Sequence, residues 1–188
     1  MMFIALLLAS LVVGNVIGVQ GWNIELVIQT QPGGAVGGEP FNLQPIIQVY
    51  NKQHELQISF EGKVAVQTLN DEPVWKKGEA VPTLDEETFI SENVVNGQAV
   101  FTGLGINTAS HYQLKFTLYD EHRLVMDTVI SDEFAVTVGE MYQLDIVTQP
   151  EMAYGGSVFG SQPVLAILDR GHNICTYVNE RMVRCIMI

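Results

Sequence analysis

The chain has 188 residues, 47% of them hydrophobic, with 9 basic against 21 acidic side chains and a formal net charge of −12. That length accommodates one full domain and part of another, and the apolar content is enough for a core. The acidic balance leaves no basic patch for nucleic acid and disfavours anionic membranes, and the chain has no long charge block or low-complexity tract of the kind that keeps a sequence disordered.

The first nineteen residues, MMFIALLLASLVVGNVIGV, are apolar and carry no charged side chain. Val19 and Gly21 stand at −3 and −1 of a cut before Trp22, so residues 1–21 read as a secretory signal peptide. No Lys or Arg precedes the apolar run, which leaves an uncleaved anchor as the alternative, although Gly14 and Asn15 interrupt a stretch already short for a span. Both readings place the remainder outside the cytosol, secreted or at the cell surface. Membrane contact is expected only where the N-terminal segment is retained.

Residues 25–30 form an apolar run that stops at Pro32, which cannot donate to a strand ladder. Gly33, Gly34, Gly37 and Gly38 follow. A phosphate-cradling loop would lead into a helix N-terminus and usually a Lys. Here the glycines lead through Phe41 into residues 44–50, QPIIQVY, which have strand character, so they are read as a crossing between sheets. Residues 51–55 are a polar turn. Residues 56–60 and 64–69 flank Glu61-Gly62-Lys63 and predict a hairpin. Pro73, Gly78 and Pro82 break residues 70–82, and Trp75 lies in that irregular stretch.

Residues 88–95 and 98–101 flank Asn96-Gly97, the strongest short-range hairpin signal, because both turn residues tolerate positive φ. Ala99 and Phe101 should face one way, Val100 and Thr102 the other. Residues 111–119 alternate strictly, with Tyr112, Leu114, Phe116 and Leu118 on one face. Residues 124–130 and 134–138 supply the last strands. Seven or eight short strands in about 115 residues with no helical periodicity predict an all-β antiparallel β-sandwich, with a closed barrel as the runner-up.

The stretch at residues 26–45 recurs without a gap 118 residues later, at 144–163. Eleven of the twenty positions are identical: Leu26, Ile28, Thr30, Gln31, Pro32, Ala35, Gly37, Gly38, Phe41, Gln44 and Pro45. Such a fixed offset is the mark of a repeat. The pieces Thr30–Pro32, Phe41–Pro45, 96–104, 112–116 and 134–136 resemble immunoglobulin-like tandem repeats of extracellular and cell-surface proteins, the bacterial Ig-like type among them. The resemblance implies an immunoglobulin-like sandwich at residues 22–140 and a truncated second module at 141–188, whose partners are neighbouring repeats. It implies spacer or adhesion roles and transfers no catalytic residue. The second copy follows the first only as far as Asn70, so the chain is expected to be a fragment of a larger array, with completion by strands of another chain as the alternative.

Cys175 and Cys185 lie symmetrically in the predicted hairpin of 174–177 and 182–187, and an oxidising compartment makes them candidates for a disulfide. His172 nearby does not turn them into a common zinc pattern. No Gly-x-Ser-x-Gly motif occurs. His54 and His172 are equivalent under the 118-residue offset, which points to a shared turn rather than to catalysis, since a catalytic His needs an oriented partner. The pairs Asp71-Glu72, Asp120-Glu121 and Asp132-Glu133, with Asp85-Glu86-Glu87, are read as solvated loops. Calcium at a loop junction is the minority reading, because no run has EF-hand spacing. No catalytic, cofactor or metal residue is therefore assigned. The expected function is a non-enzymatic extracellular structural or adhesion module. The alternative is a carbohydrate- or protein-binding sandwich using Trp75 and the loop of 70–87.

Overall fold

The computed structural model describes residues 23–79 and 90–176. Over those residues the protein is all-β, with fourteen strands and no helix. In chain order they are β1 (Ile24–Thr30), β2 (Ala35–Val36), β3 (Ile46–Asn51), β4 (Gly62–Thr68), β5 (Val74–Lys76), β6 (Ile90–Asn93) and β7 (Gln98–Val100). Then come β8 (Leu104–Ile106), β9 (Ser110–Tyr112), β10 (Leu114–Asp120), β11 (Val125–Ile130), β12 (Phe134–Thr137), β13 (Gln143–Thr148) and β14 (Val164–Leu168). The segment read as a signal peptide or anchor lies outside the described residues.

Two sheets enclose the main core. One has the order β1-β3-β7 and the other β11-β10-β4-β6, both antiparallel throughout. The period-2 pattern dictates which side chains meet between them. Leu26, Ile47, Val49, Ala99 and Phe101 come from the first sheet and its continuation, and Val64, Val66, Ile90, Phe116 and Leu118 from the second; all belong to one buried cluster. Phe101 and Phe116 touch across it with ring centroids 5.5 Å apart. This arrangement is compatible with a β-sandwich. Three smaller sheets complete the described residues: β2-β12-β9, in which β2 runs parallel to β12, then β5-β8, and β13-β14.

The expected facing of Ala99 and Phe101 against Val100 and Thr102 is observed, with the first pair buried and the second exposed. Asn96 and Gly97 both take positive φ, 52° and 75°, as a type I′ turn requires. The hairpin nevertheless ends after the single bridge of Val95 with Gln98. Beyond it β6 joins β4 and β7 joins β3, so the turn carries the chain from one sheet to the other. The alternating run from His111 to Tyr119 is likewise divided at Gln113. β9 pairs with β12, while β10 pairs with β4 and β11. Alternation fixes which face is buried but does not choose the neighbour.

The predicted hairpin of 56–60 with 64–69 does not form. Leu56 bridges back to Tyr50, the Gln57 N–H donates to the Val49 carbonyl, and Phe60 N–H closes a turn on Gln57. Ile58, which a strand would have to bury, stays exposed. β4 takes β6 and β10 as neighbours instead. Gly62 opens that strand because a Cβ there would overlap both the Phe60 ring and the Tyr119 carbonyl.

Pairing in the second stretch reproduces that in the first at the 118-residue offset. Glu25–Tyr50, Leu26–Val49 and Ile28–Ile47 correspond to Gln143–Leu168, Leu144–Ile167 and Ile146–Leu165. The irregularity at Ile28/Thr30 recurs at Ile146/Thr148. The bridges Gly33–Leu43 and Tyr50–Leu56 recur as Glu151–Ser161 and Leu168–Ile174. Gln44 Nε2 donates to the Phe41 carbonyl at 2.8 Å, and Gln162 Nε2 to the Phe159 carbonyl at 3.1 Å.

Candidate functional site

Among the described residues three hairpin turns share one local design, and one of them builds the site. They span residues 51–55, 120–124 and 169–173. In each, the first residue is Asn or Asp, its N–H donates to the carbonyl of the fifth, and its carbonyl accepts from the N–H of the fourth, all within 3.2 Å. The first side chain accepts the N–H of the fifth residue through Asn51 Oδ1, Asp120 Oδ1 and Asp169 Oδ1 at 2.8–2.9 Å. The fourth residue takes positive φ: His54 at 58°, Arg123 at 63° and His172 at 65°. Short polar side chains that bond their own backbone favour such turns. The recurring histidines thus occupy a left-handed turn position.

Among the described residues, the turn of 169–173 reaches a distant part of the chain, around Gly37, Asn107 and Gly139. Asp169 is 0% exposed. Its Oδ2 accepts the Gly139 N–H at 2.7 Å, from the link between β12 and β13. Asn173 reaches across as well. Its Nδ2 donates to the Asn107 carbonyl at 2.8 Å, and its Oδ1 accepts the Ala109 N–H at 2.8 Å. The same Nδ2 lies 3.0 and 3.1 Å from the two Asp169 oxygens, tying the two side chains together. Burial pushes the Asp169 carboxyl up. The Gly139 N–H, the Asn173 side chain and N–H, and the Gly171 N–H outweigh that and hold it below its ordinary value of 3.8, because all of them bond the charged form.

Glycines make the approach possible. A Cβ on Gly37 would overlap Asn173 Nδ2, one on Gly38 would overlap the backbone of Arg170 and Gly171, and one on Gly171 would overlap the Asn107 carbonyl oxygen. Gly37 and Gly38 are held in place by the Thr137 and Ile106 carbonyls, which accept their N–H groups at 2.9 and 3.2 Å. At the rim, the Arg170 guanidinium sits 5.1 Å from the Tyr142 ring centroid and 3.9 Å from Glu39 Oε1. The Tyr142 N–H donates to the Leu168 carbonyl at 2.8 Å.

The residues singled out from the sequence lie elsewhere or at the margin of this junction. Cys175 is buried, with its Sγ 3.9 Å from the Gly139 carbonyl oxygen. Its expected disulfide partner, Cys185, is outside the described residues, as is most of the hairpin proposed to hold both. Trp75 is in β5, opposite Gly105 of β8. Its indole lies where a Gly105 Cβ would be, and its Nε1 is shut off from solvent with no hydrogen-bond partner among the described residues. Beside it Lys76 Nζ lies 2.8 Å from both Glu79 Oε1 and Glu92 Oε1. Hydrogen bonds to Glu79 and then Glu92 raise the Lys76 ammonium above its usual 10.5. The loop continuing from Glu79 through residues 80–87 is outside the described residues, with Asp85, Glu86 and Glu87.

Asp120 spends its Oδ1 on the N–H groups of His122 and Leu124. Asp127, from β11, accepts the Leu26 N–H at 2.7 Å. Among the described residues no group of three or more His, Cys, Asp and Glu is placed to hold a metal ion. An open groove of about 690 Å³ crosses the outer face of the four-stranded sheet, lined in part by Lys63, Ser91, Asn93, Tyr119 and Arg123. Comparison with known protein families and with curated proteins finds no match.

Sequence reasoning missed the junction. It read Gly37 and Gly38 as a sheet crossing and the His172 turn only as the equivalent of the His54 turn. One available signal was the change from Asn51, Gln53 and Glu55 to Asp169, Gly171 and Asn173, between otherwise equivalent turns.

Proposed function

We propose that this chain is a non-enzymatic, extracellular structural module. Residues 22–140 form an immunoglobulin-like β-sandwich repeat, and residues 141–188 carry the first strands of a second. Its work is to hold successive units at a set orientation, as a spacer or adhesive part of a surface array. The observation that carries this reading is the junction, where a buried carboxylate and one amide side chain join the second unit to the first through Gly139, Asn107 and Ala109. The strand register repeated at the 118-residue offset supports it, as does the signal-like N-terminus. In a repeat array each unit contacts chiefly its neighbours, so these contacts set the shape of the whole. Backbone ¹⁵N relaxation on the full chain tests the reading. One rotational correlation time shared by residues 23–140 and 141–176 is expected. Two independent values would refute a fixed spacer.

A further inference from the structure

The geometry points to the end of the first unit as a selective receptor that accepts a turn of the form Asp-x-Gly-x-Asn and rejects the turn the first unit itself carries. The inference rests on the structural-module reading and adds what determines the docking partner.

The three turns of 51–55, 120–124 and 169–173 share one pattern of backbone hydrogen bonds and a left-handed fourth residue, so what distinguishes their docking chemistry lies in their side chains. At the first position, Asp169 uses Oδ1 inside its turn and keeps Oδ2 for the Gly139 N–H. Asn51 is placed alike, but its second side-chain atom is an amide nitrogen, which donates to Glu55 Oε2 at 2.9 Å. Against Gly139 it would set a donor against a donor, and a buried N–H left without an acceptor is costly. At the third position Gly171 touches the Asn107 carbonyl and the Gly37 backbone so closely that any Cβ would overlap them. The first-unit turn has Gln53 there, and the turn at 120–124 has His122. At the fifth position Asn173 offers both a donor for the Asn107 carbonyl and an acceptor for the Ala109 N–H. Glu55 as a carboxylate has no donor, and Leu124 has neither.

Asp169, Gly171 and Asn173 are therefore the specificity-determining residues, and Gly37, Gly38, Asn107, Ala109 and Gly139 form the receptor. Docking by this contact is directional. A unit presenting Asn-x-Gln-x-Glu is not taken up by the receptor even though its turn is folded in the same way.

The test is Gly171→Ala in the full chain, beside the triple variant Asp169→Asn, Gly171→Gln, Asn173→Glu, which transplants the first-unit turn chemistry. Gly171 is not among the glycines with positive φ, so the turn backbone accepts Ala, while the added Cβ overlaps the Asn107 carbonyl and the Gly37 backbone of the receptor and crowds the Asn173 side chain that reaches into it. The triple variant reproduces a turn that folds at 51–55. ¹⁵N relaxation should change from one correlation time to two in both variants, with the amide shifts of β13 and β14 retained. A single correlation time in Gly171→Ala would overturn the selection rule while leaving the structural-module reading intact. Two correlation times in the unsubstituted chain would refute that reading and this inference together.

Discussion

The two repeated stretches, residues 24–51 and 143–168, form the same strand pair from matching residues but bury it differently. Leu26 and Phe41 are 4% and 3% exposed in the first unit, whereas their equivalents Leu144 and Phe159 are 50% and 38% exposed. Strand register, the irregularity after Ile28 and Ile146, and the left-handed turn residues His54 and His172 are nevertheless common to both. Local geometry thus follows from local residues, namely the turn-forming Asx, the proline stops and the alternating apolar positions. Burial depends on strands brought in from elsewhere. In the first unit β4 and β10 cover the face that holds Leu26 and Phe41 with Val64, Val66, Phe116 and Leu118. In the second unit the same face lies open among the described residues.

That difference predicts unequal costs for one chemical change. Phe41→Ala removes a buried ring that also packs edge-on against Phe134, with centroids 5.4 Å apart. Emptying such a site costs about 3–5 kcal/mol. Phe159→Ala at the equivalent position removes a ring already in contact with water, and surface changes of that kind stay within about 0.5 kcal/mol. Urea midpoints monitored by amide signals from each unit provide the comparison. Equal losses at the two positions would mean that the second unit is covered in solution by something that protects Phe159.

The second contrast concerns Asp169 and its counterpart Asn51. Asp169→Asn leaves the Gly139 N–H facing a donor and should weaken the junction by about 1–3 kcal/mol. The effect should depend on pH with a definite sign. The carboxyl is held below its ordinary value of 3.8 in the folded state. Its contribution is therefore complete above the unfolded carboxyl pKa and disappears as pH falls through the lower folded value. Thermal unfolding of the second unit, followed from neutral to acid pH in both proteins, should show a gap that closes at the acid end. A gap constant across the whole range would indicate that the charge on Asp169 plays no part. Lys76 runs the other way. Its raised pKa means that its pairing with Glu79 and Glu92 stabilises below 10.5 and weakens as pH rises through the higher folded value; the pair is the same in both proteins and cancels from the acid comparison.

Much of the first unit was legible in the sequence because its signals are local. The alternation of Tyr112, Leu114, Phe116 and Leu118 identified a buried face, and Asn96-Gly97 identified a type I′ turn. What the sequence left open was pairing. β6 and β7 flank a clear hairpin turn yet belong to different sheets, and residues 56–60 have strand-like composition yet close turns. Those outcomes depend on which distant strand competes best for a hydrogen-bonding edge, and no local window carries that information. The junction was illegible for a similar reason. Gly37 and Gly38 look alike as a flexible loop or as a close-packed surface, and only the arrival of Gly171 and Asn173 distinguishes the two.

The smallest contrast tests whether the two histidine turns are one local device. His54 and His172 hold φ of 58° and 65°, a region that costs a residue with a Cβ roughly 1–2 kcal/mol relative to the right-handed one. Glycine relieves that strain but adds entropy to the unfolded chain, so His→Gly at either site should change stability by less than about 1 kcal/mol, with relief of strain the larger part. Neither imidazole contributes much to offset this. His54 Nδ1 lies 4.0 Å from Glu25 Oε2 with both side chains exposed, a contact of little worth in water, and His172 Nδ1 lies 3.3 Å from Gln143 Nε2. Glu25 and Gln143 are themselves equivalent under the 118-residue offset, so even the side-chain neighbour is matched. Hydrogen exchange of the Asn51 and Asp169 amides, whose N–H groups close the two turns, should slow in parallel in His54→Gly and His172→Gly. A slower rate at Asn51 but a faster one at Asp169 would show that docking at the junction, and not the turn alone, sets the conformation of residue 172.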